Sequence, residues 1–252
     1  MTKEDRFLEG QIEDCIRISD ERYMVTHWGF LSPHERKIAE NVVKRGVPPE
    51  INVVFDGGFE EAERTMLICI PQYLSLEEEN PMAVISVETA EGGKKLRHGD
   101  YLGSILGLGI TRDKVGDILV RESGADIIVD RDIIDFIMIN YSKAGRMNLS
   151  LQQKEMKDLI IPEPKVDKRQ DTVMSLRIDS LVASGFRLSR GAAQEAIRKG
   201  LVALDNVEEL STSKEVKEGQ KISLRGKGRI ILTSIGRETR KGRIFVEYNR
   251  YL

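Results

Sequence analysis

The sequence predicts an α+β protein with an N-terminal helical region, a central α+β sandwich and a C-terminal domain in which two helices precede strands. Apolar residues recur at helical spacing near both ends, whereas short β-branched runs alternate with helical segments in the middle. At 252 residues the chain exceeds one typical domain. We expect domains over residues 1–50, 51–153 and 173–252, with a linker over residues 154–172.

Charge divides the chain into an acidic body and a basic C-terminal part. Residues 173–252 contain 16 Lys and Arg against 9 Asp and Glu, a net charge of +7. Residues 1–172 contain 23 against 32, a net charge of −9. A basic lobe attracts polyanions, and an acidic body discourages unselective coating of nucleic acid. The division therefore favours a polyanionic partner for the C-terminal part.

The cysteines and the hydropathy of the sequence indicate where in the cell the protein is located. Cys15 and Cys69 are far apart in the sequence and form no metal-binding spacing, so we expect neither a disulfide framework nor a metal site. The N-terminus lacks the apolar region of a signal peptide, and no run approaches the ~18 apolar residues of a membrane span. We expect a cytoplasmic monomer with no cofactor, no metal and no membrane partner.

Two helices are predicted in the N-terminal region. Residues 2–22 carry apolar side chains at helical spacing, and packing onto the next helix is favoured over partner binding for that stripe. Ser32 as N-cap with Glu35 three residues later predicts a capping box, and Gly46 ends the second helix. Pro48 and Pro49 then close the unit.

The middle of the chain alternates between strands and helices. Strands are predicted over residues 51–55, 66–70, 82–87, 118–120 and 127–129, an edge strand over 148–151, and helices over 100–108 and 131–143. This alternation is typical of a small α+β sandwich with helices on one side of a mixed sheet.

The first central helix is rich in glycine. Gly103, Gly107 and Gly109 predict close backbone packing, and Asp100 is expected to be the N-cap. A catalytic pair of His98 with Asp100 is disfavoured by that interpretation. RNA contact through side chains at the start of the helix is the functional alternative, with these secondary contact candidates: Arg97, His98 and Tyr101.

A capped helix dominates the C-terminal domain. Ser189 is placed to cap its N-terminus and Gly200 to end it in a left-handed conformation. One side, which we expect to pack inward, carries Ala192, Ala193, Ala196 and Ile197. The other side carries an i, i+4, i+8 row: Arg190, Gln194 and Arg198. One face therefore packs and the other is offered to an anionic partner, although a solvated basic surface is the alternative.

Basic residues also follow the helices. A strand over residues 227–234 is expected beside a final strand over 244–248, where Tyr248 and Tyr251 either extend an RNA surface or seal the edge of the domain. The predicted RNA contacts are Arg177, Arg187, Ser189, Arg190, Gln194, Arg198, Lys199, Arg225, Lys227 and Arg229. Secondary contacts are predicted at Arg240, Lys241 and Arg243.

Residues 173–235 resemble the RNA-binding module named after ribosomal small-subunit protein S-four. The resemblance is carried by Arg177-Ile178-Asp179, Leu181, Ser189-Arg190, Ala193, Ile197, Gly200 and Val202. It implies an S-four-type αββ domain and binding of structured RNA.

The chain as a whole is similar to the YlmH family of RNA-binding proteins. Its motifs are Phe55-Asp56-Gly57-Gly58-Phe59, Ala62-Glu63-Arg64, Arg97-His98-Gly99-Asp100-Tyr101-Leu102-Gly103 and Leu106-Gly107-Leu108-Gly109-Ile110. The resemblance implies a central domain like an RNA-recognition motif. It also implies ribosome-associated binding of ribosomal RNA or tRNA on the large subunit, during rescue of obstructed translation.

Enzymes that carry S-four modules need parts that are absent from this sequence. Arg112 follows Gly107 and Gly109 where a dinucleotide or methyl-donor fingerprint requires glycine, and no phosphate-binding P-loop motif occurs. Asp179 is expected to cap a helix or pair with an arginine. We therefore predict a non-catalytic RNA-binding protein. The alternatives are an RNA-modifying enzyme of the pseudouridine synthase or methyltransferase type, or an adaptor whose N-terminal helices bind a protein.

Overall fold

A computed structural model describes residues 2–89, 95–162, 166–205 and 207–251. The chain divides into two compact units, Met1–Pro162 and Glu163–Leu252. Residues 163–165 of the predicted linker lie outside the described residues. No helix in the described part of the chain combines the length and the apolar character that a membrane crossing requires.

The first unit begins with two helices and a three-stranded sheet. Its elements are α1 (Lys3–Arg22), β1 (Thr26–Leu31), α2 (Pro33–Arg45), β2 (Ile51–Asp56) and β3 (Thr65–Pro71). The predicted capping box of α2 is confirmed, because Ser32 accepts from the Glu35 amide and Glu35 Oε2 accepts from the Ser32 amide at 2.6 Å. The sheet order is β1-β3-β2, and every pairing is antiparallel.

Strand β1 was not predicted. Residues 1–50 were expected to be helical and the central domain to begin at residue 51, but β2 and β3 complete a sheet with β1. Phe30 and Leu31 are both buried because this sheet is covered on both faces, so the strand lacks the alternation that marks a half-exposed one. Gly29 is required there, since a Cβ would lie 2.4 Å from the Asp113 carbonyl oxygen.

The rest of the first unit forms a second sheet with two helices. Its elements are β4 (Met82–Thr89), α3 (His98–Leu106), β5 (Val115–Val120), β6 (Gly124–Asp130), α4 (Ile134–Asn140), β7 (Lys143–Ala144) and β8 (Met147–Lys154). The order β5-β6-β4-β8-β7 is antiparallel throughout, so the expected mixed sheet is wrong. Apart from the two-residue strand β7, these elements follow the β-α-β-β-α-β succession of ferredoxin-like folds. Likeness to an RNA-recognition motif stays a prediction.

The first unit has four layers. Helices α1 and α2 cover one face of the first sheet, and α3 and α4 cover one face of the second. The remaining faces of the two sheets pack on each other through the side chains Phe30, Met66, Ile68, Ile70, Met82, Val84 and Ile128. The prediction that the central helices share one side of their sheet is confirmed.

Two cysteines that are distant in the sequence meet in this unit. The Sγ atoms of Cys15 on α1 and Cys69 on β3 lie 3.8 Å apart in the core, and both thiols are free. Cys15 Sγ also donates to Thr26 Oγ1 at 3.3 Å. The pair fills space between helix and sheet.

The second unit packs two helices on a six-stranded antiparallel sheet. Its elements are β9 (Val166–Val173), α5 (Ile178–Gly185), α6 (Arg190–Arg198), β10 (Val202–Leu204), β11 (Val207–Glu208), β12 (Lys221–Leu224), β13 (Gly228–Glu238) and β14 (Ile244–Tyr251). The order is β11-β10-β12-β13-β14-β9. Helices α5 and α6 bury Ile178, Leu181 and Ile197 against one face.

Strand β9 lies where a linker was expected. The strand could not be recognised from its polar sequence, Asp167 to Thr172, because an edge strand with charged residues on both faces lacks the alternation of apolar and polar residues that predicts a strand. Pairing with β14 along all eight residues makes this segment part of the second unit.

Candidate nucleic-acid interface

Helix α6 offers one face to a partner because its other face is anchored in the core. Ser189 Oγ accepts from the Ala192 amide at 3.2 Å, and Gly200 ends the helix with a φ of +67°, so both predicted signals are confirmed. Ala193 and Ile197 are fully buried and Ala196 is half-buried, but Ala192 is exposed, so the predicted inward packing of Ala192 is wrong. The polar row of α6 therefore faces away from the core.

One buried carboxylate, that of Asp179, binds three of the residues predicted to contact RNA. Asp179 is 0% exposed and accepts hydrogen bonds from Arg177 at 3.2 and 3.3 Å, from Arg190 at 3.3 Å, and from Gln194 Nε2 at 2.8 Å. The side chains of Arg177 and Arg190 remain 39% and 59% exposed. The two guanidinium groups therefore lie together at the surface, on an anchor beneath them.

The charge state of Asp179 follows from these contacts. Burial raises the pKa of its carboxyl, but hydrogen bonds from Gln194 and Arg177 and the charges of Arg177 and Arg190 more than offset burial. The pKa of Asp179 lies below its ordinary value. The anchor is an anion at neutral pH, as pairing with two arginines requires.

A second group of cations lies at the other end of α6. The turn between β12 and β13 is tied to the residue after the helix end, because the Arg225 amide donates to the Leu201 carbonyl at 2.9 Å. Arg198, Arg225 and Lys227 are exposed, and in the described part of the chain none of the three forms an ion pair. Lys199 pairs with Glu195 at 2.6 Å.

These residues define what we call the α6 face: Arg177, Arg190, Gln194, Arg198, Arg225 and Lys227. Its two ends are separated by the length of α6, about 12 Å at 1.5 Å per residue. The exposed Arg187 lies in the loop that leads from α5 to Ser189. A face of this length with cations at both ends suits a run of phosphates.

Arg229 is not part of the α6 face. It pairs with Tyr251 across β13 and β14, and its guanidinium lies 4.9 Å from the centre of the Tyr251 ring. The adjacent Ile230 is buried toward the helices, so Arg229 and Tyr251 lie on the opposite side of the sheet. The structure does not bring this predicted contact together with the others.

The secondary candidates near the C-terminus occupy the hairpin between β13 and β14. Arg240 and Lys241 are exposed at its tip, and Arg243 Nε donates to Thr172 Oγ1 at 2.9 Å. Tyr248 is 2% exposed, and its hydroxyl lies 2.7 Å from Ser184 Oγ. Of the two interpretations of the C-terminal tyrosines, sealing of the domain therefore holds for Tyr248.

The secondary candidates on α3 are divided by burial. Arg97 and His98 are exposed, but Tyr101 is 1% exposed and packs in the core, so the predicted contact of Tyr101 with RNA is wrong. Arg97 is the N-cap residue. Asp100, expected there, lies three positions later and accepts from the Arg97 amide at 2.8 Å.

Close packing of the α3 glycines is also wrong. A Cβ placed at Gly103 or Gly109 would meet no described atom within 4 Å, and one at Gly107 would meet only atoms of α3 itself. Glycine costs helix stability in this setting, because it loses more backbone freedom on folding than other residues. Gly109 lies beyond the end of α3 with a φ of +85°, a left-handed conformation that favours glycine. Nothing in the described part of the first unit explains Gly103 and Gly107.

The face of the central sheet away from α3 and α4 does not resemble a base-stacking platform. On β4 and β6 it carries Met82, Val84, Ser86, Asp126, Ile128 and Asp130, none of them aromatic. Three of these residues pack on the first sheet. Asp126 binds Lys154 at 2.9 Å and Arg121 at 3.1 Å. RNA-recognition motifs stack bases on aromatic residues of the sheet, so this face lacks the required side chains.

One group of metal-ligand types was not foreseen from sequence spacing. His27, Asp130 and Asp132 place ligand atoms within 4.8 Å of one another. Asp130 is already bound by His27 at 3.1 Å and by the ammonium of Lys114 at 2.6 Å. The lysine occupies the carboxylate oxygen that a metal would need, so the group is an ion-pair network.

The predicted pairing of Asp179 with an arginine is confirmed. The binding of Arg177, Arg190 and Gln194 by this one carboxylate was not predicted. The spacing of Arg177 and Asp179 was the local signal. The contact with α6 depends on the packing of two helices and has no local signal.

Comparisons with known proteins agree with this architecture. A family model described as "Putative RNA-binding domain in YlmH" matches residues 76–158, and one described as "S4 domain" matches residues 176–222. The second match spans α5, α6 and β10 and includes four of the six residues of the α6 face.

Two relatives extend the comparison to longer stretches. The solved structure of "Cell division protein ylmH from Streptococcus pneumoniae" shares the fold, with a TM-score of 0.51 and 23% identity over 64% of this chain and 96% of that one. "Ribosome-associated protein quality control protein P2" of Bacillus subtilis (strain 168) is 34% identical over 249 residues, which cover 98% of this chain and 96% of the relative. Identity at this level along nearly the whole of both proteins shows that the chain belongs to the YlmH family.

Proposed function

We propose that this protein binds structured RNA on the ribosome, without catalysis, in quality control of translation. The observation that carries the proposal is the α6 face, where Arg177 and Arg190 converge on Asp179, while the cations at the far end of the helix form no ion pair with any described residue. Each planar guanidinium can donate two parallel hydrogen bonds to phosphate oxygens, and shape rather than base sequence governs recognition of folded RNA.

The partner is ribosomal RNA or tRNA on the large subunit, contacted during rescue of obstructed translation. This part rests on the family and on the B. subtilis relative, whose name describes a ribosome-associated quality control protein. The net charge of +7 over residues 173–252 supports a polyanionic partner, and the acidic remainder supports selective docking. The protein acts as a cytoplasmic monomer. Sedimentation of the free chain tests the oligomeric state directly.

The proposal is tested by the salt dependence of binding to large subunits and to total tRNA. Affinity should fall with added salt, and Arg190→Ala with Arg198→Ala should reduce the salt slope by roughly one unit for each phosphate that the variant no longer neutralises. The control removes two exposed cations of the first unit, Arg22→Ala with Lys44→Ala, and should leave the slope unchanged. Binding that is indifferent to salt would contradict the proposal.

Absence of catalysis is tested separately. Incubation of the protein with tRNA or large-subunit RNA, with and without a methyl donor, should leave nucleoside masses unchanged and form no pseudouridine by chemical labelling. Pseudouridine has the mass of uridine, so labelling is needed as well as mass spectrometry. Turnover in either assay would establish an RNA-modifying enzyme instead.

A further inference from the structure

Asp179 supports the α6 face from beneath. Its side chain is 0% exposed, whereas the arginines that bind it are 39% and 59% exposed. We propose that Asp179 is a positioning residue for RNA: without touching RNA, it holds Arg177 and Arg190 in the orientation in which they bind phosphate. This inference rests on the proposed function and assigns a role to a residue outside the contact surface.

The hydrogen bonds leave the outer side of each arginine available. Arg190 uses Nε and one terminal nitrogen on Asp179 Oδ2, both at 3.3 Å. Arg177 uses Nε and one terminal nitrogen on the two carboxylate oxygens, and that nitrogen also reaches the Thr212 carbonyl at 3.4 Å. A guanidinium has five donors in a rigid fork, and the second terminal nitrogen of each arginine has no hydrogen-bond partner among the described residues, so it can still donate to phosphate.

Gln194 completes the arrangement from α6. Its Nε2 donates to Asp179 Oδ2 at 2.8 Å, the shortest of the contacts with this carboxylate. Arg177 precedes α5, while Arg190 and Gln194 belong to α6. The carboxylate therefore ties side chains of two helices into one unit, and side chains ordered before binding lose less conformational freedom when RNA arrives.

The net charge of the second unit and the orientation of its arginines predict opposite changes in RNA affinity when this carboxylate is removed. Asp179→Asn makes the second unit more positive by one charge. If charge alone governed binding, the variant would bind RNA more tightly. If Asp179 positions the arginines, binding weakens although the charge becomes more favourable.

The experiment compares the full-length protein with Asp179→Asn, using total tRNA and purified large-subunit RNA as probes over a series of salt concentrations. We expect affinity about tenfold lower and a salt slope reduced by one to two units. The matched control is Glu195→Gln, which removes an exposed carboxylate from the same helix and should bind as tightly as the unchanged protein or more tightly. Thermal unfolding checks that both variants are folded.

A second pair of variants covers the case in which Asp179→Asn does not fold. Arg190→Lys keeps the charge but cannot bind Asp179 and phosphate with one planar fork, whereas Arg198→Lys alters an arginine that has no carboxylate partner among the described residues. Arg190→Lys should lose several times more affinity than Arg198→Lys.

The outcomes separate the two proposals. If the unchanged protein binds RNA with the expected salt slope, but Asp179→Asn binds equally well or better, the positioning role is wrong and the proposed function stands. Equal losses in Arg190→Lys and Arg198→Lys would overturn the positioning role in the same way. If the unchanged protein itself fails to bind either RNA, both proposals fall.

Discussion

Arg64 and Arg112 of the first unit differ in use from the cations of the α6 face in the second unit. In the first unit, Arg64 donates to the Phe30 carbonyl, Arg112 donates to the carbonyls of Val115 and Gly116, and all three acceptors are main-chain atoms inside the unit. In the second unit, the cations of the α6 face lie at the surface with donors to spare. The number of cations therefore does not locate a nucleic-acid face, whereas the availability of their donors does.

The ionisation of Arg112 supports this distinction. Burial, followed by the nearby charge of Arg64, lowers the pKa of Arg112 to about 10. Opposite charges of Asp117, Glu35 and Glu63 act against that shift. A guanidinium that is desolvated to this degree serves the fold, because presenting it to RNA would require breaking its main-chain hydrogen bonds.

The largest effect that this comparison predicts is on the stability of the first unit. Asp126→Ala removes a fully buried carboxylate and leaves Arg121 and Lys154 without their shared partner, which should cost about 3–5 kcal/mol. Trp28 is the single tryptophan and packs in the first unit, so its fluorescence during urea denaturation reports this loss. Glu88→Ala is the control, because Glu88 is an exposed partner of Arg121 and should cost less than about 1 kcal/mol.

Acid should destabilise the same unit through Asp130. Burial raises the pKa of Asp130, but His27, Lys114 and the Asp132 amide bring it to about 2, below its ordinary value of 3.8. Its contribution of about 2 kcal/mol is therefore present above pH 4 and is lost as pH falls through the folded pKa. Urea denaturation followed by Trp28 fluorescence between pH 5 and pH 2 measures it.

Lys114→Gln sharpens that measurement. Without the ammonium, the pKa of Asp130 in the folded state should move back toward its ordinary value. The difference in stability between pH 5 and pH 2 should then become smaller. An unchanged pH dependence would show that other carboxyl groups control the acid sensitivity.

Substitution at Gly103 should stabilise the protein. The position is helical and open, so Gly103→Ala should add about 0.5–1 kcal/mol. Gly124→Ala is the contrast within the same domain, because its Cβ would lie 1.9 Å from the Val87 carbonyl oxygen and must distort the sheet. A destabilised Gly103→Ala variant would mean that the surface of α3 is covered in solution.

The smallest effect on stability is expected on the α6 face. Arg198→Ala with Lys227→Ala removes two exposed side chains that form no ion pair with described residues, and should change stability by less than about 0.5 kcal/mol. The same variant should lose affinity for RNA and up to two units of salt slope. A loss of stability as large as that of Asp126→Ala would show that these cations support the fold, and the contrast with the buried charges of the first unit would be wrong.

Elements with a complete local signal were predictable from the sequence. The α6 helix carries a capping serine, a terminal glycine and an apolar stripe within twelve residues, and the two caps and the stripe residues Ala193 and Ile197 perform the expected roles. The capping box of α2 is equally local. The face that α6 presents follows from these signals because a fixed helical period sets the direction of each side chain.

What could not be predicted depends on tertiary neighbours. Strand β1 is recognisable only with β3 beside it, and β9 only with β14. The openness of Gly103 and the burial of Tyr101 both depend on where α3 lies against its sheet. Convergence on Asp179 likewise requires two helices to meet, which no spacing within either helix records.

The pairing of β9 with β14 sets an order of events during synthesis. Residues 166–173 must wait for residues 244–251 before this edge of the sheet can close, and the intervening chain contains α5, α6 and every residue of the α6 face. A nascent chain held short of its final strand therefore keeps β9 unpaired. Assembly of the second unit is completed only after that strand has left the exit tunnel of the ribosome.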